Sequence, residues 1–225
     1  MASFVITGTG TDVGKTVFAA GLCHLIGADY WKPLQSGLAG NVVNDAVGSG
    51  RNASAGNKVT QSGSDRAEVE RLSGARSYPE AWMLREPLSP HRAAELEQVT
   101  IDPDNLTFPA ADRLVIEGAG GVLVPVTRQV LFADLFALWQ VPVVLVAQTG
   151  LGTISHSLTA LESLRARGVP IHGVAFTGHA NDDNMATIGQ IGRVKVLGRL
   201  PILPQLCRAS LAQAMAKHFR AEDFA

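Results

Sequence analysis

Short continuous apolar runs alternate along this chain with stretches whose apolar residues recur every third or fourth position, the pattern of strands and helices taken in turn. Phe4-Val5-Ile6, Arg113 to Glu117, Val141 to Ala147 and Ile171 to Phe176 are runs suited to strands buried on both faces, and Val194 to Leu197 supplies one more. Val17 to Ile26 is apolar nearly all round, which predicts a helix enclosed between the sheet and a second layer. After Gly150-Leu151-Gly152, a helix carries Ile154, Leu158, Leu161 and Leu164 on one face, and Ser210 to Phe219 closes the chain as an amphipathic helix. Asp65-Arg66-Ala67-Glu68 fits a capping box opening a short helix that Gly74 stops, and Ser89-Pro90-His91 leads into another. Tyr30-Trp31-Lys32-Pro33 is extended, since a proline forces the residue before it out of helical geometry. This alternation implies right-handed crossovers and a mostly parallel sheet with helices on both faces, one α/β domain over residues 1–225. Residues 41–64, rich in Gly, Asn, Ser and Ala without apolar period, read as a long mobile loop.

Composition narrows the class. With 225 residues and 46% hydrophobic content the chain can bury a full core. A net charge of −1 without a lysine and arginine cluster gives no surface for nucleic acid, whereas a small anion needs only a local site. Cys23 and Cys207 belong to no metal-ligand pattern and read as buried thiols in a reducing compartment. His24 reads as a core or boundary histidine. The N-terminus has no basic and apolar leader, and nowhere do 18 apolar residues run together, so a cytoplasmic protein outside the membrane is expected.

Candidate chemistry concentrates at strand ends, where open α/β sheets carry their ligands. Gly8-Thr9-Gly10-Thr11-Asp12-Val13-Gly14-Lys15-Thr16 lies between the first strand and the first helix, as a phosphate cradle does: backbone N–H groups and the helix dipole face an anion. Lys15 would reach the outer phosphates and Thr16 would ligate Mg²⁺. The strict spacing places a glycine at position 9, where Thr9 stands between two glycines. Lys32 ends a strand, as does Glu117, which Gly118-Ala119-Gly120-Gly121 follows. An acid in that place suits Mg²⁺ held against nucleotide phosphates, and the glycines let backbone approach a second anion. The competing readings are a solvated Lys32, a solvated Glu117 in a tight turn and an Asp65 that only caps its helix.

The order of Gly8 to Thr16, Lys32-Pro33-Leu34-Gln35-Ser36-Gly37, Ser89-Pro90-His91, Glu117 to Gly121, Phe132-Ala133-Asp134 and Leu151-Gly152-Thr153-Ile154-Ser155-His156 resembles the dethiobiotin synthetases nearly end to end. That family shares the first glycine at position 8. The resemblance implies a P-loop fold and ATP- and Mg²⁺-dependent closure of a ureido ring from 7,8-diaminopelargonic acid and CO₂ or bicarbonate, through a carbamate and its mixed anhydride with phosphate. It implies catalytic roles for Lys15 and Lys32. ATP would be held by Thr11, Asp12, Val13, Gly14, Lys15, Thr16, Val17, Asp65, Glu117, Gly118, Ala119, Gly120, Thr177, Gly178, Pro201, Ile202 and Leu203. The substrate would be held by Lys32, Ser36, Gly120, Gly121, Gly152 and Ser155, and Mg²⁺ by Thr16, Asp65 and Glu117. Asp45 is the competing metal carboxylate. A homodimer with the substrate's tail at its interface is implied too, with Ser155 where relatives often have Asn. Thr177 stands where some members carry an adenine-reading Asn, so base selectivity would rest on shape and backbone, with Asn181 or Asn184 as alternative readers.

Two rival classes fit less well. Partner-binding ATPases of the chromosome-partitioning kind carry a further lysine early in the loop, which this chain lacks. An amidotransferase-like ligase wants a glutaminase nucleophile, and neither cysteine has the surroundings for one.

Overall fold

The central strand β1 (Phe4–Gly8) is buried along its whole length because its two faces feed two cores. Phe4 and Ile6 enter one, and Val5 enters the other, as the two-residue period of a strand requires. The computed structural model describes residues 3–37 and 63–225. Chain order continues with α1 (Lys15–Ile26), β2 (Asp29–Trp31), β3 (Leu34–Gln35), α2 (Asp65–Ser73), β4 (Ser77–Tyr78), β5 (Trp82–Met83), α3 (Pro90–Glu97), β6 (Leu114–Gly121) and α4 (Phe132–Trp139). It ends with β7 (Val143–Gln148), α5 (Thr153–Arg165), β8 (Ile171–Thr177), α6 (Asp182–Ile191), β9 (Val196–Leu200) and α7 (Arg208–His218).

The main sheet has seven strands in the order β4-β2-β6-β1-β7-β8-β9, every pair parallel. β3 and β5 form a separate parallel pair. One core lies beneath α1, α2 and α7, the other beneath α3, α4, α5 and α6. The expected α/β architecture with covered faces is therefore present, and α1 is enclosed as its all-round apolar sequence requires. β1 sits where strand order reverses, with β2 reached on one side and β7 on the other, so its carboxyl end opens the crevice in which such sheets bind ligands. Among the described residues, no helix is long and apolar enough to cross a membrane.

Several expectations change. β6 runs on through Gly121 instead of turning after Glu117, and Gly8 pairs with Gly121. The end of this strand thus lies alongside the loop leaving β1, within contact distance of the Gly8 carbonyl and the Gly10 backbone. α2 is capped by Ser64, whose hydroxyl accepts from the Ala67 N–H at 3.3 Å, while Asp65 is the first helical residue. Gly74 ends α2 in a left-handed conformation, as expected. The last strand is Val196–Leu200 and not 194–197. Helices α4 and α6, and the small sheet, were not anticipated. His24 is exposed, its Nδ1 3.3 Å from the Ser73 carbonyl, and Cys207 is only half-buried at the start of α7, whereas Cys23 is buried as expected. Most of the 41–64 stretch, with Asp45, lies outside the described residues.

Gly198 holds β9 against the end of α7. Its φ is +148°, and a Cβ there would overlap the His218 carbonyl oxygen. Gly198→Ala combines backbone strain with overpacking and should lower unfolding free energy by about 2–4 kcal/mol. Urea denaturation should show this as a lower midpoint with an unchanged slope.

Candidate active site

The cradle is built by conformations that sequence alone only hints at. Gly14 caps α1 at φ +87° with no side-chain cap, so the first-turn N–H groups of the helix are left for an anion. Asp12 is also left-handed, at φ +55°. A Cβ at Gly8 would meet the Val13 side chain at 2.7 Å and the Gly10 carbonyl at 2.9 Å. The tight glycine is therefore needed at position 8, which explains why Thr9 is tolerated. From behind, Gln148 Nε2 donates to the Asp12 carbonyl and Thr177 Oγ1 to the Val13 carbonyl, each at 2.8 Å. The ends of β7 and β8 thus tie down the loop that leaves β1. Lys15 folds back over it, its Nζ donating to the Gly10 carbonyl at 2.8 Å. Burial lowers the pKa of this ammonium below the usual lysine value, and the Glu117 charge acts against that shift.

Beside the cradle, Tyr30 of β2, Lys32 just beyond it and Glu117 of β6 meet Thr16 of α1 and Asp65 of α2 at the edge of an apolar core. Glu117 is fully buried, and its Oε1 accepts from Thr16 Oγ1 at 2.9 Å and from Lys32 Nζ at 3.2 Å. Its Oε2 accepts from the Tyr30 hydroxyl at 2.9 Å. Lys32, 5% exposed, also pairs with Asp65 at the first turn of α2. Burial pulls the Lys32 pKa down, but the carboxylates outweigh it and the net shift is upward, so the ammonium stays charged. Burial, followed by the Glu117 charge, holds the Tyr30 phenol protonated well above its usual range. A hydroxyl and two carboxylates form a hard oxygen donor set of the kind Mg²⁺ takes. Thr16, Asp65 and Glu117 thus fit that ion and line one cleft of about 430 Å³ with Lys15, Lys32, Ser36 and Gly120.

Two further clefts adjoin this one. On one side, about 610 Å³ opens between Ser36, Gly37, Pro87, Leu88, Gly120 and Val124. There Ser89 bonds to its neighbour His91, 3.0 Å from hydroxyl to Nδ1, and Arg92 pairs with Glu95 on its own helix, so neither reaches into the cradle. On the other side, a mainly apolar cleft of about 660 Å³ is lined by Val13, Val17, Thr177, Gly178 and Pro201 to Leu203. The Asn181 and Asn184 amides both donate to the Thr149 carbonyl there, at 3.1 and 3.2 Å. Thr177 is equally committed, to the loop and not to the cleft.

Most anticipated residues therefore converge: Thr11, Asp12, Val13, Gly14, Lys15, Thr16, Val17, Lys32, Ser36, Asp65, Glu117, Ala119, Gly120, Thr177, Gly178, Pro201, Ile202 and Leu203 line the three clefts. Gly118 and Gly121 lie in the adjoining strand, packed against Phe136 and the Gly8 to Gly10 backbone. Gly152 and Ser155 do not join them, because both are exposed at the start of α5. Tyr30, Gln148 and Thr149 were missed, although the two-residue period of a strand already places Tyr30 on the face of Lys32.

Residues 2–210 match the family model described as an AAA domain. The fold is similar to that of the cell division ATPase MinD of Pyrococcus furiosus, with a TM-score of 0.53 at 12% identity over 99% of this chain and 98% of that one. That likeness is one of fold alone. The ATP-dependent dethiobiotin synthetase BioD of Novosphingobium aromaticivorans is 52% identical over 228 residues, covering 100% of both chains. Proteins of the same name from Agrobacterium fabrum and Brucella ovis are 49% and 46% identical, each alignment covering 98% of this chain and 96% of the relative. With identity of that extent over nearly the whole of each chain, the chain belongs to the ATP-dependent dethiobiotin synthetase family.

Proposed function

We infer that this chain closes the ureido ring of dethiobiotin from 7,8-diaminopelargonic acid and CO₂ at the expense of ATP, releasing ADP and phosphate, as a step of biotin synthesis in the cytoplasm. The observation that carries this reading is a buried, charged Lys32 fixed between two carboxylates beside a phosphate cradle. One substrate amine adds to CO₂ and loses a proton, giving a carbamate. A carbamate oxygen attacks the γ-phosphorus as ADP leaves, and the second amine then displaces phosphate from the carbonyl carbon. Both partners in the phosphoryl step are anionic, so catalysis consists of positioning and charge neutralisation. Lys15 and the cradle N–H groups spread the γ-phosphoryl charge, Lys32 offsets repulsion between carbamate and phosphate, and Ser36 holds the diamine or carbamate through its hydroxyl. Thr16, Asp65 and Glu117 would hold Mg²⁺, which when bound neutralises phosphate oxygens.

The adenine fits the apolar cleft at Pro201 to Leu203, and the diamine fits the cleft beside Ser36 and Gly120. The exposed Gly152 and Ser155, next to a fully exposed Leu151, support a two-fold homodimer in which a neighbouring chain completes the site for the substrate's tail.

Phosphate release measured with and without the diamine and bicarbonate tests the reading: release should need both, and a rate indifferent to them sinks it. In the same assay Lys32→Gln should lower kcat by about 10²- to 10³-fold. ATP affinity should stay nearly intact, because the cradle holds the nucleotide independently. Equal loss of rate and affinity would make Lys32 an ordinary nucleotide ligand.

Base selectivity is the third expectation. With the Asn181 and Asn184 amides turned onto Thr149 and the Thr177 hydroxyl onto Val13, kcat/KM for GTP and CTP should fall within about 10- to 100-fold of that for ATP, the worth of one bidentate base contact. Strict ATP dependence would instead mean that Thr177 is not what sets base selectivity.

A further inference from the structure

Of the three side chains that hold Glu117, the roles above use Thr16 and Lys32 and leave Tyr30 without one. Tyr30 is fully buried on β2, which pairs with β6 in the register Tyr30 to Val115 and Trp31 to Ile116. Its ring packs in the core beneath α1, where a phenylalanine would fill the same space. Its hydroxyl has a single partner among the described residues, Glu117 Oε2 at 2.9 Å. The two oxygens of Glu117 are thus divided: Oε2 is held by a group in the core, and Oε1 alone faces Thr16 and Lys32.

A carboxylate without that division would be free to turn, sharing both oxygens among the donors on the cleft side and leaving neither fixed. We propose that Tyr30 is a positioning residue that fixes the rotation of Glu117, so that one oxygen is presented toward the Mg²⁺-nucleotide. The proposal rests on the reading of Thr16, Asp65 and Glu117 as the metal's oxygen shell. Groups that orient a metal-binding side chain without touching the metal typically contribute about 10- to 100-fold to metal affinity.

The test is calorimetric. ADP is titrated into the protein in EDTA and then at a series of Mg²⁺ concentrations. Tyr30→Phe should raise the Mg²⁺ concentration that half-saturates the metal-dependent gain in ADP affinity by about 10- to 100-fold, with ADP affinity in EDTA unchanged. Glu117→Gln is the control on the underlying reading. If Glu117→Gln abolishes the gain and Tyr30→Phe leaves it untouched, the role of Tyr30 is overturned and the metal shell stands. If Glu117→Gln itself leaves the gain untouched, the metal shell falls and the proposal with it.

A measurement on the unsubstituted protein covers the case in which Tyr30→Phe fails to fold. The chain has two tyrosines, Tyr30 and Tyr78, so 3-fluorotyrosine labelling gives two fluorine resonances that Tyr78→Phe assigns. Adding Mg²⁺ to the ADP-bound protein should shift the Tyr30 resonance and leave that of Tyr78 in place. A Tyr30 resonance blind to Mg²⁺ overturns the proposal.

Discussion

The site depends on keeping one ammonium charged where almost no water reaches it. Desolvating Lys32 is costly, and the cost is recovered only because Glu117 and Asp65 surround it with opposite charge and hydrogen bonds. Glu117 in turn is tolerable at zero exposure only because three donors share its two oxygens. Removing Lys32 or Glu117 alone would leave the other without its buried counter-charge. The cluster lies between an apolar core and a cleft that must accept several further negative charges, so its lysines are matched in advance to an anionic ligand.

That cluster is possible because three chain segments distant in sequence reach one level. β1, β2 and β6 are neighbours in a parallel sheet, so their carboxyl ends face the same way. Lys32 leaves β2, Glu117 lies within β6, and α1 starts beyond β1 with Lys15 and Thr16 in its first turn. Asp65 comes from a different layer, at the start of α2, whose Val69 and Leu72 share the core beneath α1. Two cores thus act as a clamp on the sheet while the ligand groups project from its rim.

Much of this was legible beforehand, for identifiable reasons. β1, β7 and the first part of β6 are buried on both faces and therefore read as apolar runs, and β8 does so from Gly173 to Phe176. Pro33 marked Lys32 as ending a strand. β9 was misplaced because Gly198 and Arg199 interrupt its apolar run, although the chain remains extended there. Position 8 could not be distinguished from 9 by pattern, since the reason lies in a contact with Val13 and Gly10 that exists only once the loop is folded. Ser64 was passed over as a cap because Asp65 offers the same chemistry one residue later. Tyr30 was hidden by its apolar surroundings, as its ring reads as core and only its hydroxyl as site.

The ties from Gln148 and Thr177 to the loop carbonyls of Asp12 and Val13 change when the cost of ordering that loop is met. A glycine-rich turn that became ordered only around its ligand would subtract that lost freedom from every binding event. Here two outward carbonyls are already engaged by neighbouring strands, so the chain loses that freedom once, as it folds. The affinity of the loop for an anion is then insured by the stability of β7 and β8, and a change that loosens those strand ends would weaken nucleotide binding without touching any group that contacts the nucleotide.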